Sequence, residues 1–505
     1  MNLLTLLDMA AEGYPGRPLL GSRADGLTAA RLAGQARRGG RYLTGAGAET
    51  LVYIGENGPG FPLALFAAAA AGIPFLPLNY RLTAEQLASI VDGQRRPLVI
   101  ADHVPPCRAG TTVGVMTIRD WADPLASPAT GTGVPEAAEP GPDDEAVLLM
   151  TSGTTAAPKS AVLRHRHLVS YILGSVEFGS ADAGDAVLVS VPPYHIAAVT
   201  NLLSNLYRGR RIVYLDRFTA RGWLEAASAE GATHAMVVPT MLARIVDELE
   251  AGAPVPRRLR SLSYGGAPLS PRILARALAL LPDVGFVNAY GLTETSSSIA
   301  VLGPEDHRAA AASSLPAVRA RLGSVGRPLP GIEIEIRDGD GKPRDPGQPG
   351  HIHVRGAQVA GEYRGSRALT DADGWFSTRD DGYIDDDGYL FVQGRADDTI
   401  IRGAENIAPA EIEAVIEQMP GVAQVAVTGL PSEEWGQQIG AFVVPRPGAQ
   451  LSAEQVRDFA RVRLRSSRTP DTVVFVPELP HTPTGKLLRR ELVRLARNPV
   501  SSSAE

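Results

Sequence analysis

Ala146-Val-Leu-Leu-Met150, running directly into Thr151-Ser-Gly-Thr-Thr-Ala-Ala-Pro-Lys-Ser160, is the stretch on which the reading of this chain turns. Five consecutive apolar residues have the length and composition of a buried strand. Behind them, Thr151, Ser152, Thr154 and Thr155 supply hydroxyls, Gly153 supplies freedom and Lys159 a cation. Backbone N–H groups, hydroxyls and an ammonium in one loop can surround a polyphosphate. A solvated Ser/Thr turn has the same composition, so the loop decides nothing by itself. The P-loop pattern G-x-x-x-x-G-K-[ST] is one residue away, with Pro158 standing where glycine is required. Proline has no N–H to donate and a fixed φ, and Ser160-Ala-Val-Leu163 reads as strand rather than as a first helical turn. The stretch therefore predicts a phosphate loop between two strands that is not a P-loop.

The flanks repeat a strand–helix rhythm. Apolar runs at Thr50–Ile54 and Pro97–Ile100 alternate with helical segments. Phe61–Leu78 carries no charge, but Pro62, Gly72, Pro74 and Pro77 interrupt it. It reads as a buried helix entering a strand at Ile73–Leu78, not as a membrane span. Asp123–Asp144, rich in Pro, Gly, Ala and Thr, is a long surface connection. A helix near Leu168–Leu173 and strands at Ala186–Val191, Arg211–Leu215, Ala235–Val238, Leu259–Tyr264 and Phe286–Ala289 continue the βαβ pattern of a parallel sheet. From about residue 320, Ile332–Ile336 and His351–Val354 alternate in polarity between Asp-Gly turns, the mark of a small antiparallel region. Toward the end, a helix opens at Pro409 with Glu411 and Glu413 near its N-terminus. Strands follow at Val422–Val427 and Ala441–Val444, then a helix opened by Ser452 with Gln455 in the capping-box position. Ser501–Glu505 reads as a frayed tail.

At 505 residues the chain is too long for one core. The expected architecture is α/β. A large N-terminal domain of layered sheets and helices occupies 1–394 and includes an antiparallel β subdomain at about 320–394. A small mobile α+β domain follows at 395–505. A net charge of −6 argues against a nucleic-acid binder, while leaving room for a local nucleotide pocket. Cys107 is the single cysteine, so no internal disulfide can form, as suits a reducing cytoplasm. Met1–Asp8 lacks the basic start of a signal peptide. A soluble cytoplasmic protein, monomer or dimer, without nucleic-acid partner or integral membrane association, is the expectation.

Further motifs carry chemistry. In Asn288-Ala-Tyr-Gly-Leu-Thr-Glu-Thr295, Tyr290 offers an aromatic face for a purine, Thr293 a hydroxyl for a phosphate and Glu294 a hard oxygen ligand for Mg²⁺. With the Thr151–Ser160 loop, this segment resembles the signatures of the adenylate-forming superfamily, which contains acyl- and aryl-CoA synthetases, luciferases and peptide-synthetase adenylation domains. Gly265, Gly266 and Ala267 then resemble the lining of the adenine and acyl pockets, with Asn288, Ala289 and Gly291 contributing to nucleotide binding. Trp375-Phe-Ser-Thr-Arg-Asp380 resembles the segment whose aspartate holds the ribose, and Gly394–Glu413 the block whose arginine, here Arg395, also binds ribose. The resemblance further implies a hinge at Asp397, a thiol channel at Arg402, Gly403, Ala404 and Glu405, and a catalytic lysine, Lys486, in Leu479–Arg490. Relatives usually carry glycine at Ala156, Ser160, Arg379 and Ala404. An arginine beside the sugar can contact a phosphate or the substrate, or point outward.

The resemblance implies ATP, Mg²⁺ and CoA as the groups handled. A small carboxylic acid would be converted to an acyl- or aryl-adenylate with release of pyrophosphate, and then to a thioester. His195, in Pro192-Pro-Tyr-His195, corresponds to a histidine near the bound carboxylate. Pocket walls are expected from Ile196, Ala197, His234, Val238, Tyr264, Ser296 and Ser297. Three alternatives stand beside CoA ligation: transfer to a carrier protein, transfer to a nitrogen nucleophile (including nitrite-dependent diazotisation), and an inactive nucleotide-binding regulator.

Overall fold

The computed structural model describes residues 1–103, 105, 107–108, 110–123, 138–151, 159–366, 368–395, 398–402, 405–432, 436–464, 468–482 and 487–497. Much of the Asp123–Asp144 connection and the whole Ser501–Glu505 tail lie outside them.

The apolar runs of the first part form parallel strands β1 (Thr50–Ile54), β2 (Phe75–Pro77) and β3 (Pro97–Ala101). Successive strand residues face opposite ways, so Leu51 and Tyr53 enter the main core while Val52 and Ile54 enter a second cluster on the other face. Coverage of both faces explains why these runs do not alternate with polar residues. Helix α1 (Gly60–Ala70) is buried from Gly60 to Ala69, as a helix without charges must be. Among the described residues no helix is long and apolar enough to cross a membrane.

Strands β4 (Glu145–Thr151) and β5 (Lys159–Arg164) close this sheet as an antiparallel hairpin with Thr151 opposite Lys159. The outer edge of β5 is latched to residues 362–364. The Val162 N–H donates to the Glu362 carbonyl at 3.0 Å, and the Arg364 N–H to the Ser160 carbonyl at 2.9 Å. Arg164 forks onto the Glu362 carboxylate at 3.0 and 2.7 Å. The residues after Lys159 are therefore strand, as Ser160-Ala-Val-Leu163 implied.

The second sheet holds nine described strands; Pro18–Leu20 adds parallel to the edge of a run of five, β6 (Ala186–Val189), β7 (Arg211–Tyr214), β8 (His234–Val237), β9 (Ser261–Gly265) and β10 (Gly285–Leu292), in the order β7-β6-β8-β9-β10. Helix α2 (Ile196–Arg208) connects β6 to β7, and antiparallel β11 (Ser297–Leu302) follows β10. All five carboxyl ends lie along one edge of the sheet, the edge at which open parallel sheets bind ligands.

A third, antiparallel sheet joins β12 (Glu333–Arg337), β13 (Gly350–Arg355), β14 (Phe376–Ile384) and β15 (Leu390–Arg395) in that order. Because β15 extends to Arg395, the strand runs one residue past the boundary expected at 394/395. Beyond it, β16 (Ile400–Arg402), α3 (Pro409–Ile416), β17 (Val422–Ser432), β18 (Gly436–Pro445), α4 (Ala453–Arg461), β19 (Thr472–Phe475) and α5 (Arg489–Arg497) follow. Ser452 and Gln455 cap α4 reciprocally. Ile400, Ile412, Val427, Ile439 and Val456 make a core of their own. This part meets the rest through the Ser270 hydroxyl, which donates to Glu417 at 2.9 Å, and Arg272, which donates to the Val422 carbonyl at 3.3 Å.

Candidate active site

Asp380 and Arg395 face each other across β14 and β15. The Arg395 Nε lies 2.9 Å from Asp380 Oδ1, and the Tyr290 hydroxyl, arriving from β10 in another sheet, donates to Oδ2 at 2.5 Å. Asp380 is only 5% exposed, and its N–H is tied to the Thr378 hydroxyl at 3.1 Å. A carboxylate accepts on both oxygens, so one oriented in this way is of the type that binds the hydroxyls of a sugar. Burial, with the Asp380 charge adding to it, pushes the Tyr290 hydroxyl well above its ordinary range, so it remains a donor. Its ring is partly buried against Ile299 and Ala300.

After β10 the chain makes a tight turn at Thr293–Thr295. The Thr295 hydroxyl accepts from the Leu292 N–H at 2.9 Å and donates to the Ser297 carbonyl at 2.8 Å. The Gln358 amide donates to the carbonyls of Thr295 and Ser298 at 3.0 and 2.8 Å. The N–H groups of Ala360 and Gly361 donate to the Glu294 carbonyl at 2.8 and 3.1 Å. So fixed, the turn presents a buried Glu294 carboxylate, to which the Tyr363 hydroxyl donates. The Lys159 ammonium lies 5.7 Å from the Tyr363 ring centre, and the Thr151 hydroxyl donates to the Lys159 carbonyl at 3.3 Å. Burial, and then the Glu294 charge, push the Tyr363 hydroxyl up to about 12. Sequence reasoning missed Tyr363 and Gln358. The signal for Tyr363 was an aromatic between Gly361 and Gly365 on the strip that latches β5.

The donor set fits a Mg²⁺ ion shared with phosphates. Glu294 offers a hard carboxylate oxygen, and among the described residues no group of three or more His, Cys, Asp or Glu forms a protein-only cage.

His195 caps the start of α2, Ile196 and Ala197 form its first turn, and Val238 follows β8. The His195 Nε2 is buried without a hydrogen-bond partner among the described residues, as are the hydroxyls of Tyr194 and Ser296. Burial lowers the His195 imidazole to about 4, leaving it neutral. Ser296 and Ser297 hold left-handed φ values of 54° and 107°, a strain of roughly 1–3 kcal/mol each. The Ser297 hydroxyl accepts from Thr200 of α2 at 3.1 Å. Two glycines permit close approach: a Cβ at Gly291 would lie 1.8 Å from the Ser297 carbonyl oxygen, and one at Gly265 would lie 2.2 Å from that of Ala289. Gly266 and Ala267 follow at the end of β9, and the Asn288 amide donates to the Ser324 carbonyl at 3.1 Å.

One expected pocket residue lies at the other end of its strand, and another is packed into the core. His234 is the first residue of β8, at the opposite end of the strand from Val238, roughly 13 Å away by strand rise. There its Nδ1 meets the Thr233 hydroxyl at 2.8 Å, and Arg210, Asp185 and Arg260 surround it. Tyr264 is 1% exposed, its hydroxyl bonded to His307 Nε2 at 2.9 Å. The amino end of β8 lies away from the carboxyl ends where open parallel sheets bind ligands, whereas Tyr264 is the next-to-last residue of β9, with its ring packed into the core.

Arg402 pairs with Asp471 at 2.7 Å. Arg489, also missed, binds Glu413 at 2.7 Å and Asp398 at 3.4 Å. Ser152, Gly153, Thr154, Thr155, Asp397, Gly403, Ala404 and Lys486 lie outside the described residues, as does the side chain of Glu405.

An aspartate held by an arginine and a tyrosine, beside a buried glutamate and a lysine-bearing hairpin, suits activation of an acid by ATP, and the class such a site fits is that of the adenylate-forming enzymes. The chain belongs to the AMP-binding enzyme family: the family model matches residues 7–364, and that of the AMP-binding enzyme C-terminal domain matches 411–486. It is 34% identical to the fatty acid–[acyl-carrier-protein] ligase ScoC of Streptomyces coeruleorubidus, over 97% of this chain and 96% of that one. It is 33% identical to the sulfoacetate–CoA ligase of Cupriavidus necator, over 98% of each. Its fold is similar to that of o-succinylbenzoate CoA synthetase (MenE) from Bacillus subtilis in complex with its acyl-adenylate intermediate. That match has a TM-score of 0.82 and 26% identity, and covers 96% and 97% of the two chains. The protein is thus a member of the adenylate-forming acid–CoA ligase family.

Proposed function

We propose that this enzyme adenylates an aryl or medium-chain acyl acid and transfers it to CoA. The observation that carries the reading is the Tyr290–Asp380–Arg395 clamp set beside Glu294, Tyr363 and Lys159. A carboxylate oxygen attacks the α-phosphate, and the bond to the β-phosphate breaks as pyrophosphate departs. Held by Glu294 and the phosphates, Mg²⁺ would neutralise the charge building there. Thr151, Ser152, Gly153, Thr154, Thr155 and Lys159 hold the phosphates, with Thr293 adding a hydroxyl. Lys486 bridges the acid and the α-phosphate as a point charge.

We assign 1–394 to nucleotide and acid binding and 395–505 to a lid that turns about Asp397, withdrawing Lys486 and bringing Arg402, Gly403, Ala404 and Glu405 to the thiol channel. The Arg489 ties to Asp398 and Glu413 support motion of that part as one body. The acid pocket comprises His195, Ile196, Ala197, Val238, Ser296 and Ser297. A neutral imidazole and hydroxyls among small apolar groups suit an aromatic or medium acyl acid, and no cation in this set would clamp a second carboxylate. The similarity to an acyl-carrier-protein ligase favours a carrier-bound thiol as the second reading. Nitrogen nucleophiles follow, and an inactive regulator is disfavoured by Glu294, Asp380, Arg395 and Lys486 occurring together. The cytoplasm, where ATP and CoA are abundant, suits the reaction.

Pyrophosphate release across a panel of acids, with mass spectrometry after adding CoA, carrier protein or nitrite, tests this. Lys486→Ala should lower release by about 10²–10³-fold. Full activity in that variant removes its assigned role, and release without a CoA thioester removes CoA as acceptor.

A further inference from the structure

Arg379 stands where the family pattern has glycine, and its φ of +60° is one that suits glycine. Arg96, Ser296, Ser297 and Arg379 are the described non-glycine residues at positive φ, and three of the four lie in the site. Backbone strain of this kind persists where function holds it. The Arg379 side chain is exposed and makes no hydrogen bond or ion pair with any described residue, so it repays its backbone strain with no structural tie. Its surroundings say what it faces. Asp380, next in sequence, belongs to the sugar clamp. The Arg379 charge acts on the Tyr363 hydroxyl, which donates to Glu294 and whose ring carries the Lys159 ammonium. A guanidinium without a structural partner thus stands next to Asp380 in the chain and within electrostatic reach of Tyr363, the residue that bonds Glu294.

We propose that Arg379 binds the β- and γ-phosphates of ATP, directing its planar fork of N–H donors at the departing pyrophosphate. The inference rests on the adenylation reading above. As the acid oxygen bonds to the α-phosphorus, the bond from that phosphorus to the bridging oxygen breaks, and its electron pair leaves on pyrophosphate. Arg379 stabilises that charge and transfers no proton. AMP lacks the two phosphates, so the residue also separates ATP from AMP.

Calorimetric titration of the full-length protein with Mg-ATP and with AMP tests it without knowledge of the acid. Arg379→Gly relaxes the backbone and should melt no lower than wild type. Its ATP affinity should fall about 10- to 100-fold, with AMP affinity within about twofold. Arg379→Lys keeps a charge without the fork and should recover part of the loss. Equal ATP affinity in wild type and Arg379→Gly, or parallel loss of ATP and AMP, overturns the proposal alone. A wild type that binds neither nucleotide overturns the adenylation reading with it.

Discussion

The two edges of the five-stranded parallel core are built on opposite rules. At the amino edge, polar groups close on one another. Buried Arg211 reaches the Glu230 carboxylate at 2.8 Å and its carbonyl at 2.6 Å, Asp185 takes Arg260, and the Thr233 hydroxyl bonds the Ala186 backbone at 3.1 Å. The Nε atoms of Arg208 and Arg210 are left over among the described buried side-chain atoms there. At the carboxyl edge, His195, Tyr194 and Ser296 keep buried polar atoms without partners, and two serines hold strained backbone. A satisfied edge contributes stability, and an edge left short of partners waits for a ligand.

Glu294→Gln should break the contrast most sharply. The amide still accepts the Tyr363 hydroxyl, so unfolding free energy should shift by less than about 1 kcal/mol. Acid-dependent pyrophosphate release should fall about 10²–10³-fold. An active variant would mean that the carboxyl edge does not act through this carboxylate. At the other edge, Arg211→Ala removes charge-assisted bonds and should cost about 2–3 kcal/mol in denaturant unfolding, while the KM values of the folded enzyme stay within about threefold. Loss of catalysis without loss of stability there would reverse the assignment.

The smallest effect sharpens the comparison by pH. Burial lowers His165, His167, His195 and His234 to about 4, against an ordinary 6.5. The unfolded chain therefore takes up protons that the folded chain refuses. Stability from these groups is complete above about pH 6.5 and is lost as pH falls toward about 4. His234→Gln should remove part of that acid slope in pH-dependent unfolding curves and leave acid selectivity unchanged. A changed selectivity would return His234 to the pocket.

The sequence made the order of motifs and most strands legible because both are local: apolar runs, turn residues and a proline that excludes the P-loop. It grouped Asp380 with Arg395, which do pair across β14 and β15, but it gave no sign that the Tyr290 hydroxyl, from another sheet, bonds Asp380. It set His234 beside Val238 because nearness to a motif along the chain does not say which end of a strand a residue occupies. Strand β10 runs on to Leu292, beyond the expected Ala289, because Gly291 admits the Ser297 carbonyl. Tyr363 had only its flanking glycines as a signal, and Arg489 had none, since each acts through a partner far away in sequence.

The β4–β5 hairpin has a consequence for redesign. Thr151 and Lys159 oppose each other across the ladder, so the ends of the phosphate loop are brought together by strand pairing, and the nucleotide need not supply that closure entropy. The far edge of β5 is latched as well, to residues 362–364. A one-residue deletion inside β5 would turn Lys159 to the other face and undo both edges at once, whereas changes of length between 152 and 158 would spare them. The hairpin is in effect a socket, with an exchangeable insert and a rim that admits no shift of thread.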